Sequence, residues 1–457
     1  MGELLKVSIK VLKEEGLLSF IKKTIRWVLQ FIPWICIVFI YKLRHHIDWF
    51  DNYFVLKQIR KTGKSVSVYK EICYGLDYAI QKQLPYAIFS KNERAYCIKP
   101  RIFNEDVMPL VEEYTCPVIY MAELEGVTVY GESDAIAVNK ILICDSVALN
   151  KNEDRYDNRD SCLVKEKKSK YVMVVFETQN RKIDHAISMV RWASSNYYHF
   201  TVETISRLAY VDQYEKYREW PILIDEAVTQ IPQLMELLNI VNIYRHPVLT
   251  IEKYEQIYVN DMVYMSSNMW MPHNFSIKAK QKSIDFLFSR SCVFNIRPLV
   301  LEHIRKKTLN NDKIYLSRKN CDNHRLINAK EIEELFCKYG YDIVYTEQLS
   351  LMEQASLFFN AKVIVGPTGA AFTNLIYCSR DSNVVIIAPE EHNGYCFSNL
   401  AYMLGVNCIM LQADIVKKSW ADSLDVFYLS PQKCIDFIKS INHAKYEIKE
   451  TSNCILI

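Results

Sequence analysis

Short apolar runs alternate with amphipathic helical segments between residues 313 and 388, and this alternation constrains the fold more than any other feature of the sequence. The runs occupy residues 313–317, 341–345, 363–366 and 384–388. Strands that alternate with helices at this spacing form right-handed crossovers in a parallel, doubly wound sheet. The sequence therefore predicts an α/β fold whose ligands bind at the carboxyl ends of the strands.

Helix boundary signals support this prediction. Asn328 stands three residues before Glu331, and Ser350 stands three residues before Glu353. A capping residue followed by glutamate at this spacing typically begins a helix, and Gly340 is placed to end the first of the two helices. We therefore expect helices after Asn328 and after Ser350.

A turn of small residues, GPTGAAFTN at 366–374, follows the third apolar run. The small side chains at 369–371 would let a diphosphate approach the backbone N–H groups that begin the next helix. Arg318 ends the first strand and Arg325 follows it, and an arginine can bind phosphate through two parallel hydrogen bonds. Small residues also serve close helix–sheet packing, and an arginine after a strand is often only solvated, so both interpretations stay open.

Four spaced segments resemble glycosyltransferase family 61. They are NYYHFTVE at 196–203, IYLSR at 314–318 with Arg325 and Asn328 behind it, Glu353-Gln354, and the turn at 366–374. The resemblance covers roughly residues 190–390. It implies a GT-B fold, in which two Rossmann-like domains face a cleft. It also implies metal-independent, inverting transfer from a nucleotide sugar and, in bacteria, a role in capsular or other surface polysaccharides.

The resemblance also implies a set of donor-binding residues, with the nucleotide sugar as substrate, no cofactor and no metal site. That set is Arg318, Arg325, Asn328, Gly366, Thr368, Gly369, Ala370, Ala371 and Asn374. The family commonly has histidine where this chain has Thr368. A threonine hydroxyl can still hydrogen-bond a phosphate, but it cannot carry positive charge.

Candidates for the general base lie upstream. An inverting transfer needs a group that takes the proton of the acceptor hydroxyl. We expect a long helix over about 197–217, with one buried apolar stripe and a separate polar stripe that contains His199, Glu203 and Arg207. His199 and Glu203 are the first candidates, although Glu203 could simply pair with Arg207. Asp225, after a predicted strand, is the third candidate and could equally be a helix cap.

Length, composition and missing motifs agree with a two-domain sugar transferase. The 457 residues, 50% of them hydrophobic, suit a Rossmann-like acceptor domain at 48–300 and a nucleotide-sugar domain at 301–457. The sequence has no Asp-x-Asp at a strand end and no G-x-G-x-x-G fingerprint, which disfavours a metal-bound diphosphate and an NAD-dependent enzyme. The fourteen cysteines are scattered, which argues against a zinc site and favours a reducing compartment.

The first 47 residues carry eight Lys/Arg against three Glu, a net charge of +5, whereas the remainder carries −2. This segment includes seventeen mostly apolar residues at 25–41, which is short for a bilayer span of about 20 residues. We expect residues 1–47 to form a helical segment that attaches the protein to the cytoplasmic face of a membrane, either peripherally or as a short anchor. A helix packed on the protein's own core is the alternative. Nucleic acid is a poor partner for the slightly acidic remainder.

The resemblance, with which these patterns agree, implies an inverting glycosyltransferase that extends a surface or capsular polysaccharide on a glycan or lipid-linked acceptor. Two alternatives remain. One is an NAD-dependent or other enzyme that modifies nucleotide sugars, and the other is a catalytically idle membrane-bound partner in a polysaccharide assembly complex. The donor sugar, the linkage and the oligomeric state depend on loops that no spacing rule specifies.

Overall fold

The computed structural model describes residues 64–69, 71–106, 109–148, 158–159, 163–165, 172–272, 282–304, 312–319, 325–390, 392, 394–418 and 425–443. Its strands are β1 (Ser65–Tyr69), β2 (Glu71–Cys73), β3 (Tyr86–Ser90), β4 (Arg94–Ile98), β5 (Arg101–Ile102), β6 (Val111–Thr115), β7 (Ile119–Tyr130), β8 (Ile136–Val138), β9 (Ile141–Ile143), β10 (Asn158–Arg159), β11 (Leu163–Lys165), β12 (Val172–Ser188), β13 (Ile222–Asp225), β14 (Val248–Ile251), β15 (Glu255–Met265), β16 (Met269–Trp270), β17 (Leu287–Phe288), β18 (Lys313–Leu316), β19 (Asp342–Val344), β20 (Val363–Pro367), β21 (Asn383–Pro389), β22 (Asn407–Lys417) and β23 (Val426–Tyr428). Its α-helices are α1 (Gly75–Lys82), α2 (Leu208–Val211), α3 (Glu226–Thr229), α4 (Pro232–Val241), α5 (Ser291–Phe294), α6 (Arg297–His303), α7 (Ala329–Lys338), α8 (Leu351–Asn360), α9 (Tyr395–Leu404) and α10 (Pro431–His443).

The C-terminal sheet has the predicted doubly wound topology. Its order is β19-β18-β20-β21-β22-β23, and every pair from β19 to β22 is parallel. Counted from β18, the parallel strands follow the order 2-1-3-4-5, which reverses direction between β18 and β20. Ligands of doubly wound sheets bind at the carboxyl ends of the strands that flank such a reversal. Arg318 and the turn after β20 both lie at this point.

Alternating side chains bury both faces of this sheet. Ile314, Leu316 and Ile364 pack into the core cluster that also contains residues of α8 and α9. Tyr315 and Val365 point to the opposite face, where they pack with residues of α7 and α10. Because side chains alternate along a strand, strands covered on both faces form continuous apolar runs. This explains why the sequence pattern located these strands within one or two residues.

The expected helix starts are confirmed in part. Ser350 caps α8 by accepting a hydrogen bond from the Glu353 backbone N–H at 3.2 Å, and the Glu353 carboxylate bonds back to Ser350. Asn328 precedes α7 but makes no side-chain cap. The segment after Gly369 is a 3₁₀-helix at Ala370–Tyr377 rather than an α-helix.

The N-terminal sheet is larger and mixed, so only part of it is Rossmann-like. Strands β14, β13, β12 and β15 are adjacent and parallel, and in chain order they read 3-2-1-4, as in the first half of a Rossmann-type sheet. Beyond β15 the sheet continues with β7, which is antiparallel, and then with β8 and β9. The direction of strand order reverses between β12 and β15.

The two sheets are joined by a shared core and by a strand exchange. One apolar cluster includes Ile187 and Val263 from the N-terminal sheet together with Ile364 and Val384 from the C-terminal sheet. The short strand β5 pairs with β22 and thereby becomes the edge of the C-terminal sheet. A strand from within the predicted domain 48–300 therefore completes the sheet of the predicted domain 301–457.

The long helix expected over 197–217 is not regular. The chain forms a π-helix at His199–Thr204, a 3₁₀-turn at Ile205–Arg207, the short helix α2 and another 3₁₀-turn at Glu215–Tyr217. π-helical turns inside helices occur frequently at functional sites.

The predicted membrane-associating segment 1–47 lies outside the described residues. Among the helices of the described ranges, none combines the length and apolar character needed to cross a membrane.

Candidate functional site

The first cluster of charged groups lies where the C-terminal sheet reverses its strand order. Arg318 follows β18, and its Nη1 donates to the Thr368 carbonyl oxygen at 3.1 Å. Arg325 lies before α7, and its Nη2 donates to the same oxygen. Two guanidinium groups from the segment between β18 and α7 therefore converge on one backbone carbonyl just beyond β20.

This convergence concentrates positive charge. Burial, and next the nearby Arg318, lower the pKa of Arg325 to about 10, against the opposing effect of Asp425. Arg325 therefore keeps its charge at neutral pH. The Nε of Arg318 is buried, and no acceptor among the described residues reaches it. Asp425 offsets part of this charge, and a diphosphate would offer acceptors to both guanidinium forks.

The small residues of the turn make room for a guanidinium as well as for a ligand. A Cβ at Gly369 would collide with the Nη1 and Cζ of Arg318. Gly369 is therefore required for the arginine to lie across the turn. Gly369, Ala370 and Ala371 are half-buried, so this short stretch is the accessible part of the turn, while Thr368 is 3% exposed.

His392 is a member of this cluster that sequence reasoning missed. It follows the carboxyl end of β21, and its Nε2 lies 3.4 Å from the Thr368 hydroxyl oxygen. Burial, together with the charge of Arg325, lowers its pKa to about 4, so the imidazole is neutral at physiological pH. An available signal was its position just after the strand next to β20, because ligand-binding residues gather at such ends.

Three other predicted donor-binding residues have protein partners. Gly366 has no room for a Cβ because of Leu316, which indicates close strand packing. The Asn328 amide donates to the Leu429 carbonyl at 2.9 Å. Asn374 is 0% exposed, accepts from the Tyr197 hydroxyl at 2.7 Å and donates to Gln354 at 2.7 Å. As placed, the side chains of Asn328 and Asn374 tie segments of the protein together.

The second cluster surrounds Arg191, three residues beyond β12 in the N-terminal sheet. Its Nε donates to Glu203 at 3.1 Å and lies 3.3 Å from Asp134. All three side chains are at most 8% exposed. Burial alone would lower the pKa of Arg191, but Asp134 and Glu203 outweigh burial and hold it above its usual range. This guanidinium is thus paired with two carboxylates inside the protein.

The structure brings His199 and Glu203 into direct contact. His199 Nδ1 lies 2.9 Å from Glu203 Oε1, and the histidine side chain is 13% exposed while Glu203 is 0% exposed. An ionised carboxylate only accepts hydrogen bonds, so in the neutral imidazole Nδ1 carries the hydrogen and Nε2 is the basic nitrogen. A base oriented by a buried carboxylate is a recurrent catalytic arrangement.

The alternative in which Glu203 simply pairs with Arg207 does not describe the hydrogen bonds of either side chain, since Glu203 contacts Arg191 and His199. Arg207 is buried and donates to the carbonyls of Thr204, at 3.1 Å, and Met265, at 3.0 Å. Burial, and next the charge of Arg191, lower its pKa to about 10. Glu203 and Arg207, two members of the expected polar stripe, are thus buried. Arg207 joins the segment that follows the π-helix to the end of β15 through its bond to Met265.

Asp225 joins the same region as a backbone acceptor. It ends β13, is 0% exposed, and accepts hydrogen bonds from the backbone N–H of Arg191 at 2.9 Å and of Glu132 at 2.6 Å. Its side chain makes no cap bond to α3, so the helix-cap alternative fails. Burial raises the pKa of Asp225 to about 7. These contacts position the loop that carries Arg191.

A cavity of about 20 Å³ lies beside this cluster, at the carboxyl ends of β12 and β15. Its lining includes Asp134, Arg191, Arg207 and Tyr264. That volume holds about one water molecule and no sugar. A substrate that reaches His199 must therefore bind outside this cavity.

Direct contacts connect the two clusters. The Tyr197 hydroxyl bonds Asn374 in the 3₁₀-helix after the turn. The ring of Tyr198 lies 6.1 Å from that of Phe397, which in turn lies 5.9 Å from Phe372. The residues that flank His199 are thus packed on the element that begins at Gly369. Within the described residues no group of three or more His, Cys, Asp or Glu is arranged to hold a metal ion.

Much of the candidate site lies in a stretch of the chain that matches a known family model. Residues 197–385 match the model of the family described as Glycosyltransferase 61. The match spans less than half of the chain, begins just before His199 and includes Glu203, Asp225, both clustered arginines and the turn. No curated protein matches the sequence. The match supports the resemblance to this glycosyltransferase family and, with it, glycosyltransferase activity.

Proposed function

We propose that the protein transfers a sugar, with inversion and without a metal ion, from a nucleotide-sugar donor to a growing glycan. The observation that carries the proposal is the convergence of Arg318 and Arg325 on the Thr368 carbonyl, where the strand order of a doubly wound sheet reverses. The match to the glycosyltransferase 61 family supports the reaction class.

The donor's diphosphate would lie against the two guanidinium groups and the half-buried residues Gly369, Ala370 and Ala371. When the bond between the sugar and the β-phosphate breaks, negative charge develops on the departing oxygen. Cations that are already in place stabilise that charge without reorganisation. Arg318 and Arg325 would thus do the work that a divalent cation does in metal-dependent transferases.

The acceptor hydroxyl would be activated by His199. Its Nδ1 is bonded to Glu203, and Glu203 is held by Arg191, so the ring orientation is fixed by two successive contacts. Nε2 can take the hydroxyl proton as the new bond to the sugar forms on the face opposite the nucleotide. Glu203 then acts as a positioning residue, because it is fully buried.

The two strand-order reversals suit a GT-B arrangement, in which a donor unit and an acceptor unit face a cleft. We assign the donor to the C-terminal sheet and the acceptor to the N-terminal sheet. The acceptor is proposed to be a surface or capsular polysaccharide or its lipid-linked precursor, in line with the family resemblance.

We further propose that residues 1–47 hold the protein at the cytoplasmic face of a membrane. Their net charge of +5 supports attraction to anionic lipids, worth about 1 kcal/mol per basic residue near the surface. Flotation of the full chain with vesicles that contain anionic lipid should decrease when Lys6, Lys10 and Lys13 are changed to Glu. Flotation that is equal for both chains, or absent for the natural sequence, would contradict this proposal.

Thermal shift assays with nucleoside diphosphates, nucleotide sugars and NAD test the proposed function. A ligand that binds only the folded state raises the melting temperature. We expect a nucleoside diphosphate to stabilise the natural protein and Arg380→Ala, but not Arg318→Ala. Arg380 is an exposed arginine outside the cluster and serves as the matched control. Transfer of radiolabelled sugar to a lipid-linked acceptor completes the test.

The same assays separate the two alternatives. A response to NAD alone would overturn the transferase proposal in favour of an enzyme that modifies nucleotide sugars. No response to any nucleotide would favour a catalytically idle assembly partner.

A further inference from the structure

His392 lies beside the proposed donor site and has no role in the reaction as proposed above. It lies between β21 and α9, and its backbone N–H closes a turn onto the Pro389 carbonyl at 2.9 Å. Two residues later Gly394 has a φ of +63°, and a Cβ there would crowd Pro100 and Met410. The backbone is thus constrained at His392 and at Gly394, and the imidazole lies beside Thr368.

The surroundings of His392 are cationic. Arg325 and Arg318 approach from the segments after β18, Thr368 approaches from the turn after β20, and Asp425 opposes Arg325. A neutral imidazole adds no third positive charge to the site, and it still offers one N–H donor. The histidine therefore provides a hydrogen bond at low electrostatic cost.

The contact between His392 and Thr368 is weak. The Nε2 to Oγ1 distance of 3.4 Å is at the upper limit for a hydrogen bond. Redirecting this donor to a better acceptor would therefore lose little. A phosphate oxygen beside the Thr368 carbonyl would be such an acceptor, because charge-assisted hydrogen bonds are roughly twice as strong as neutral ones.

We propose that His392 is a third contact for the donor's diphosphate and donates a hydrogen bond from Nε2 to the phosphate oxygen that leaves the sugar. In the transfer step the bond between the anomeric carbon and this oxygen breaks, and the electron pair stays on the oxygen, where the His392 hydrogen bond strengthens. The acceptor oxygen forms the new bond to carbon, and its proton passes to His199. This role rests on the proposed function and adds a residue outside the family match.

The test compares His392→Ala, His392→Gln and the control His303→Ala, since His303 is an exposed histidine on α6. We expect His392→Ala to lower kcat by about 10- to 100-fold, as loss of one hydrogen bond to a charged group predicts. The affinity for the nucleoside diphosphate product should fall more than the affinity for the intact nucleotide sugar, because the free terminal phosphate carries more charge. Glutamine keeps an N–H donor and should recover part of both losses.

Three outcomes would overturn the role proposed for His392. Unchanged kcat and product affinity in His392→Ala, with the natural protein active, would overturn the role of His392 and leave the proposed function intact. So would equal losses in Ala and Gln together with a lowered melting temperature, which indicate a packing role. Absence of nucleotide binding by the natural protein would overturn both proposals.

Discussion

The two arginine clusters differ in the hydrogen-bond acceptors that their guanidinium groups contact. Arg191, beside the N-terminal sheet, lies between the carboxylates of Asp134 and Glu203. Arg318 and Arg325, at the C-terminal sheet, both donate to a single neutral carbonyl. A guanidinium paired with carboxylates stabilises and orients its neighbours, whereas a guanidinium bonded to a carbonyl oxygen, as Arg318 is, keeps the capacity to bind an anion. We therefore propose that the cluster around Arg191 positions a base and that the cluster of Arg318 and Arg325 receives a substrate.

Arg191→Leu should have the largest effect, because it leaves Asp134 and Glu203 buried without their cation. Breaking a buried ion pair from one side typically costs about 3–5 kcal/mol of stability. Arg318→Leu in the ligand-free protein should cost less than about 1 kcal/mol, because no carboxylate in the described part of the chain forms an ion pair with Arg318. Urea unfolding monitored by tryptophan fluorescence compares the two variants, and equal losses of stability would remove the distinction between the clusters.

His199→Ala should lower kcat by at least about 10²-fold, the usual minimum for loss of a general base. The dissociation constant of the nucleotide sugar should stay within about twofold of the natural value, because the arginines that hold the diphosphate are untouched. Steady-state kinetics and calorimetry measure the two quantities separately. A variant that loses donor affinity but keeps kcat would place His199 with the donor instead.

Arg318→Lys should weaken binding of the nucleoside diphosphate by roughly tenfold, and Arg318→Ala should weaken it further. Lysine keeps the charge but lacks the planar fork that bonds two phosphate oxygens at once. Calorimetric titration gives the affinities, with Arg380→Lys as control. Full affinity in Arg318→Lys would mean that charge alone matters at this position.

The smallest and most specific effect is expected at Asp225, whose carboxyl should make the stability of the protein depend on pH. The pKa of its carboxyl is raised in the folded protein to about 7, so its contribution is complete below the unfolded pKa near 4 and is lost as pH rises through about 7. Between pH 6 and 8 this loss amounts to about 1.4 kcal/mol. Asp225→Asn should lack that component, as unfolding curves at the two pH values would reveal. An identical pH dependence in both proteins would contradict the raised pKa.

The two regions also differ in how far their structure could be predicted from sequence. The parallel strands β18, β20 and β21 are covered on both faces, and this makes them apolar runs that a local pattern detects. The capping box at Ser350 is likewise local, since its partner Glu353 is three residues away. The parallel core of the C-terminal sheet and the position of its turn were therefore predictable.

The N-terminal region depends on contacts that are distant in sequence. A period of 3.6 residues indicated a long helix, but the chain forms a π-helical turn at 199–204, in which Glu203 is buried against Arg191 from the segment after β12. No local sequence pattern identifies Arg191 as the partner of Glu203. The antiparallel addition of β7 to β15 is equally non-local, so the sequence predicted a simpler sheet than the one observed.

The candidate site shows the same division. Sequence motifs found His199, Glu203, Arg318 and Arg325, but they could not separate residues that face a ligand from those that tie segments together. Asn374 belongs to the second group because Tyr197, 177 residues away, uses its amide oxygen. His392 was missed because its relation to Thr368 arises only when β20 and β21 pair.

A crystal structure with the nucleoside diphosphate that most raises the melting temperature tests the central claim most directly. We expect the two phosphates to lie against the turn at Gly369, within hydrogen-bond distance of the Arg318 and Arg325 guanidinium groups. They should lie on the side from which an acceptor bound to the donor sugar can reach His199. Phosphates bound elsewhere, with both arginines still bonded to the Thr368 carbonyl, would contradict this expectation.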